Sequence, residues 1–105
     1  MSRFIQISTT CDQRQPLQKL ATELVTRKLA ACVQIGGPVF STYRWQDSVE
    51  TSEEWVCTIK TLEDRQDAVA DFIKSAHPYD EPEIIVTPIS GGSDSYLQWL
   101  KNQVQ

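Results

Sequence analysis

Val39–Thr61, VFSTYRWQDSVETSEEWVCTIKT, sets the reading of this chain. Successive side chains of an extended strand point to opposite sides, so Val39, Ser41, Tyr43 and Trp45 share one face and Phe40, Thr42 and Arg44 the other. Gln46, Asp47 and Ser48 supply turn chemistry. Val49 to Thr61 then returns as a further strand with Trp55, Cys57 and Ile59 on one face. The two runs make a long hairpin. Just upstream, Cys32 to Ile35 reads as a short strand that Gly36, Gly37 and Pro38 interrupt with a bulge or bend before it resumes at Val39.

On either side of the hairpin lie helices and two more strands. Phe4 to Thr9 (FIQIST) is rich in β-branched and aromatic residues and predicts the first strand. Leu17, Leu20, Ala21, Leu24, Val25 and Leu29 recur at helical spacing and form one apolar stripe, with Asp12 as the expected N-cap and Pro16 in the first turn. After the hairpin, Thr61 and Asp64 resemble a capping box that opens a second amphipathic helix with Leu62, Val69, Phe72, Ile73 and Ala76 inward, ended by Pro78. Ile84 to Ile89 predicts a fourth strand, which Pro88 restricts to an edge or a strand end. Gly91, Gly92 and Ser93 turn the chain into a last helix carrying Tyr96, Leu97, Trp99 and Leu100. The order βαββαβα predicts an α+β fold: a ferredoxin-like antiparallel sheet with two helices on one face and an extra C-terminal helix. Such a sheet leaves its second face open, and an exposed aromatic hairpin beside it is an aggregation hazard that a symmetric oligomer would bury.

Composition narrows the function classes. The chain has 105 residues, enough for one domain, with 40% hydrophobic and 23% charged residues, which is ordinary globular usage. Lysine plus arginine total 10 against 14 aspartates and glutamates, a net charge of −4. Phosphate backbones are repelled by that balance, so nucleic acid is not an expected partner. Neither a signal-peptide pattern nor a stretch of transmembrane length is present, so a cytoplasmic location without membrane insertion is expected. Cys11, Cys32 and Cys57 are odd in number and far apart, which argues for free thiols, and no C-x-x-C pair is available for a zinc ribbon.

LAACVQI (Leu29–Ile35), STYRW (Ser41–Trp45), IKT (Ile59–Thr61), HPYDEPEIIVTPI (His77–Ile89) and YLQWL (Tyr96–Leu100) occur in an order and at a spacing that resemble the CutA divalent-cation tolerance family. The resemblance covers Phe4 to Leu100 and implies a single CutA-like domain over residues 1–105. It also implies a homotrimer built through the long hairpin and the C-terminal segment, with Tyr43, Arg44, Trp45, Trp55, Tyr96 and Trp99 at the trimer interface. The shape resembles regulatory trimers that bind small effectors between protomers. Family members with an assigned copper site use a cysteine at the end of the first strand and two adjacent histidines. The matching positions here are Thr9, Ala76 and His77, so two of the three ligand types differ.

His77, the one histidine, is therefore a metal-ligand candidate, with Cys11 as a possible substitute sulfur if the loop bends. A helix C-terminal cation bonding free carbonyls is the simpler role for His77. Cys32 and Cys57 read as inert core thiols, and neither has a base nearby in sequence to activate a nucleophile. Tyr79 and Glu83 belong to the HPY-x-x-PE motif and, with Lys60, are the candidates for an intersubunit cleft, whereas Asp80 and Glu81 read as a solvated acidic turn. Lys60 and Glu83 are a conceivable charge pair. Arg14 is the only basic residue after the first strand, and TTCDQRQ lacks the glycine and aromatic context of an acylphosphatase loop. The expected function is a non-enzymatic, trimeric divalent-cation (copper) tolerance protein that binds copper or another divalent cation weakly. The alternative is a signalling or scaffold trimer that takes a small effector or a protein partner in its clefts.

Overall fold

The structure, a computed structural model, describes residues 3–105. Four strands form one antiparallel sheet in the order β2-β3-β1-β4: β1 is Phe4–Cys11, β2 Cys32–Trp45, β3 Ser48–Leu62 and β4 Ile85–Pro88. Helices α1 (Arg14–Thr26) and α2 (Gln66–Ala76) link them, and α3 (Asp94–Gln103) follows β4. This is the α+β topology that the sequence predicts, with Pro88 at the end of an edge strand, where its missing amide costs no ladder bond.

Strict alternation in β1 builds the core. Ile5, Ile7, Thr9 and Cys11 are buried on one face, and the register sets Ile7 opposite Ile59 and Thr9 opposite Cys57. Leu17, Leu20 and Leu24 of α1 and Val69 and Ile73 of α2 close over that face. The other face is only partly covered, since Phe4 and Leu62 at one end pack with Leu100 and Val104 of the α3 segment. Thr9 is the flaw in this core: its Oγ1 is buried with no hydrogen-bond partner. Thr9→Val deletes that orphan hydroxyl at nearly constant shape, and a gain of about 1 kcal/mol is expected, read as a higher urea midpoint with an unchanged slope.

Several local expectations are corrected. Asp12 does not cap α1: Gln13 precedes the helix without a side-chain bond, and the Asp12 carboxylate accepts from the Cys11 thiol instead. Thr61 caps nothing, because its hydroxyl lies inside β3 and donates to the Leu29 carbonyl at 2.7 Å. A 3-10 turn, Glu63–Arg65, then precedes α2, so Leu62 ends a strand and meets α3 rather than lining the second helix. Val25 (44% exposed) and Ala76 fall outside the buried stripe of their helices.

The hairpin projects beyond the helices. The molecule measures 45 × 25 × 21 Å, and most of β2 from Gly36 onward is exposed. Its tip is a two-residue turn in which Gln46 (φ 48°) and Asp47 (φ 66°) both adopt the left-handed conformation, as tight twisted hairpins require. Gly36 to Val39 forms the expected bulge, where the register with β3 shifts and the Gly37–Pro38 peptide is cis. Gly37, at φ 132°, has no alternative there, since a Cβ would lie 3.2 Å from the Glu54 carbonyl oxygen.

Candidate functional site

His77 is the hinge of the site. The helical run of α2 ends at Ala76 because Pro78 disfavours helical geometry in the residue before it, and His77 takes an extended conformation (ψ 139°). Its ring turns toward β1. Nε2 lies 2.7 Å from the Thr10 carbonyl oxygen, which can only accept, so Nε2 carries the proton. Nδ1 accepts from the Tyr79 backbone N–H at 3.0 Å. Geometry thus fixes a neutral imidazole with both nitrogens occupied, buried to 8% exposure. The expectation of a cationic side chain on the last helical carbonyls is corrected: the ring ties α2 to β1, and the Ile73 carbonyl receives the His77 backbone amide instead.

Tyr79 extends the tie. Its phenol oxygen accepts from the Asp12 N–H and donates to Glu54 Oε2, both at 2.8 Å, while its ring sits 4.7 Å from that of His77. Burial, reinforced by the bonded Glu54 carboxylate, pushes the phenol well above its ordinary titration range. One chain of contacts therefore joins β1, the start of α1, the α2–β4 loop and β3.

Glu54 was not legible as a site residue. It is a buried carboxylate (7% exposed) that shares a face with Val39, its partner across the ladder, and with Tyr43 and Trp45 farther along β2. Glu54, Ser41, Thr42, Tyr43 and Trp45, with Tyr79, Asp80, Glu81 and Glu83 of the α2–β4 loop, border a recess of ≈ 680 Å³ floored in part by Thr10. Tyr79 and Glu83, two of the predicted cleft residues, are here together, and Asp80 and Glu81 border the recess too while staying exposed in their acidic turn. Lys60 does not. It lies six residues from Glu54 on β3, about 20 Å along a strand, and its ammonium sits 5.6 Å over the Tyr96 ring. Within one chain Lys60 and Glu83 therefore do not pair.

Burial, and secondarily the charge of Glu54, raises the Glu83 carboxyl above its usual range. In the interval between the ordinary carboxylate value and that raised one, the folded state binds more protons than the unfolded state, so stability falls as pH rises through it. Glu83→Gln is expected to raise the melting temperature at neutral pH, with the gain fading as pH drops through that interval and absent well below 4.5. Parallel melts of both proteins from pH 3.5 to 7.5 measure it.

Only Cys57 is placed in the core as the sequence predicts; Cys32 lies outside both core clusters, and Cys11, the candidate ligand sulfur, is a core thiol. Cys11 and Cys57 are fully buried core residues and Cys32 is half-buried, all unpaired. Burial, aided by Asp12, raises the Cys11 thiol, and burial pushes Cys57 up to about 12, so neither offers a thiolate near neutrality. Cys11 faces the helices alongside Ile7 and Thr9, away from Thr10 and the recess. No group of three or more His, Cys, Asp or Glu side chains is arranged to hold a metal ion among the described residues. Of the residues matched to the copper ligands, Thr9 is sealed beneath the helices while Ala76 is exposed beside the α1–α2 groove.

The predicted interface residues divide. Tyr43 (43%), Trp45 (56%), Tyr96 and Trp99 are exposed, as is Arg44, whereas Trp55 packs on the core with the Arg14 guanidinium 5.2 Å from its ring. Phe40 (76%), Val49 (67%) and Ile85 (52%) add exposed apolar surface that the motif reading did not single out. Alternation alone could have flagged Phe40, because a strand with apolar residues on both faces needs cover on both.

A protein-family model described as CutA1 divalent ion tolerance protein matches residues 5–103. The chain belongs to this family. It is 40% identical over 101 residues to Protein CutA, chloroplastic, of Arabidopsis thaliana, covering 96% of this chain and 56% of that protein, so it spans little more than half the plant relative's length. A divalent-cation tolerance protein CutA of Pectobacterium atrosepticum is 41% identical, covering 79% of this chain and 76% of that one. Among solved structures, CutA from Xylella fastidiosa superposes with a TM-score of 0.95 at 34% identity, covering 99% of this chain and all of that one. CutA1 from Shewanella sp. SIB1 does so at 0.92 and 42%, covering 96% and 94%. The family's fold, an antiparallel four-stranded sheet with three helices, is the one described above.

Proposed function

We propose that this chain serves divalent-cation tolerance as a cytoplasmic homotrimer that catalyses no reaction, holds copper or another divalent ion only weakly, and binds a small effector in the recess beside Glu54. The observation that carries the reading is the occupation of His77: with Nδ1 accepting and Nε2 donating, its ring has no lone pair left for an ion in this conformation. Cys11 is sealed in the core beneath the helices, away from His77's neighbours on the open side of the sheet. The same facts support the absence of catalysis, since a nucleophile needs an activating base and these groups are committed to the fold.

Support for the trimer is the hairpin. Phe40, Val49, Tyr43 and Trp45 present apolar surface on a projecting strand pair, and both outer strands of the sheet, β2 and β4, have unpaired edges within the chain. Closed rings of like subunits cover such edges without leaving new ones. No helix among the described residues is long and apolar enough to cross a membrane. The scaffold alternative, in which the recess takes a protein partner, is favoured by the recess being far larger than a metal ion needs. Sedimentation equilibrium over a hundredfold range of protein concentration tests the oligomer: a mass near three times 11.9 kDa is expected, and a monomer throughout contradicts it.

A further inference from the structure

Residues 90–105 are tied to the sheet at few points. The Ile89 amide donates to the Phe4 carbonyl at 2.9 Å, and beyond it no backbone hydrogen bond joins this segment to the rest of the chain among the described residues. Side chains hold α3 down instead. Leu100 and Val104 are fully buried, but in a small cluster of their own with Ala31, Leu62 and Phe4, separate from the core that α1 and α2 close over β1 and β3. Leu100 is the one buried residue within α3, while Tyr96 and Trp99 are 41% and 43% exposed. Each end of the helix has its own fastening. The Ser93 hydroxyl accepts from the Tyr96 amide and starts the helix directly after Gly91 and Gly92, where the backbone turns with least restriction. At the other end, where helical carbonyls lack intrahelical donors, the Arg65 guanidinium from the turn before α2 donates to the Val104 carbonyl. Its charge also suits the negative end of the helix dipole.

Such ties are too few to hold α3 with the stability of the core. An isolated helix shorter than about 12–15 residues is marginal in water, so the 10 residues of α3 stay helical only while Leu100 and Val104 are seated. Segments with few buried apolar contacts open at a lower free energy than the whole fold. Opening here has a defined consequence. It bares Phe4 and Leu62 and takes the Tyr96 ring away from the Lys60 ammonium, on the sheet face that α1 and α2 leave uncovered.

We infer that residues 90–105 form a strap, clasped by Arg65, that opens as a unit on the Gly91–Gly92 hinge and uncovers that end of the sheet while the other elements stay folded. Amide hydrogen exchange of the full-length protein at neutral pH tests it, read by mass spectrometry on peptides from α3, β1 and β3. Because Tyr96 and Trp99 are candidates for a contact between copies, the experiment is repeated on Phe40→Glu, a charge on the exposed hairpin that keeps chains apart. The α3 amides are expected to exchange together and at least about tenfold faster than those of β1 and β3. A gap seen only in Phe40→Glu also supports the strap and means that assembly holds it shut. Arg65→Ala is expected to speed exchange in α3 alone, by at least about tenfold more. Leu100→Ala should act on the same segment, and it keeps the test open if Arg65→Ala does not fold. One rate for α3, β1 and β3 in both the wild type and Phe40→Glu overturns the inference. So does an Arg65→Ala protein whose exchange rises equally in all three elements or not at all in α3.

Discussion

His77→Ala is expected to lower the unfolding free energy by about 2–4 kcal/mol while leaving metal uptake unchanged. The substitution strands two groups at once. The Thr10 carbonyl loses a donor at 2.7 Å and the Tyr79 amide loses an acceptor at 3.0 Å, both against a ring that is only 8% exposed. Each buried group left without a partner costs about 1–3 kcal/mol. For a chain of this length that is a fall in melting temperature of roughly 10 °C or more, compared at one protein concentration because association contributes to stability. His77→Gln, which retains a donor and an acceptor, should recover part of the loss. A variant as stable as the wild type shows that the ring is not a structural tie.

The second large effect falls on assembly. Phe40→Glu should convert the proposed trimer to monomer at micromolar concentration while barely changing the fold of the chain. Phe40 is 76% exposed and contributes nothing to either buried cluster, so the isolated protomer loses no packing. An aromatic anchor buried between subunits is commonly worth about 2–4 kcal/mol, and a carboxylate in its place adds an unpaired charge. Light scattering after size-exclusion chromatography should read a single-chain mass with an unchanged circular dichroism spectrum. A trimer that tolerates the charge places the interface elsewhere.

The elements were legible where pattern and chemistry agree. Alternation in FIQIST, the leucine spacing of α1 and the Gly36–Pro38 interruption all gave the observed strand, helix and bulge, because each is a local consequence of periodicity or backbone freedom. Caps were not legible. Asp12 and Thr61 have the right side chains near helix starts, but α1 is preceded by Gln13, the Asp12 carboxylate accepts from the Cys11 thiol, and the Thr61 hydroxyl donates to the Leu29 carbonyl. The site was half legible. HPY-x-x-PE pointed to Tyr79 and Glu83, yet Glu54 sits 25 residues before Tyr79 in an unremarkable acidic pair, and only the fold brings its carboxylate to that phenol. His77 was found for its chemistry, and its hydrogen bonds give it a different role. No periodicity reports which lone pairs a neighbouring backbone will take.

The claim at the centre of this account is that His77 serves the fold of a trimer and does not hold its metal. Native mass spectrometry of the reduced protein, titrated with copper(I), copper(II) and zinc beside His77→Ala, reads assembly and occupancy together. The account predicts a trimer whose metal uptake is weak and the same in both proteins. One tightly held ion per chain, lost from a still-trimeric His77→Ala, would contradict it.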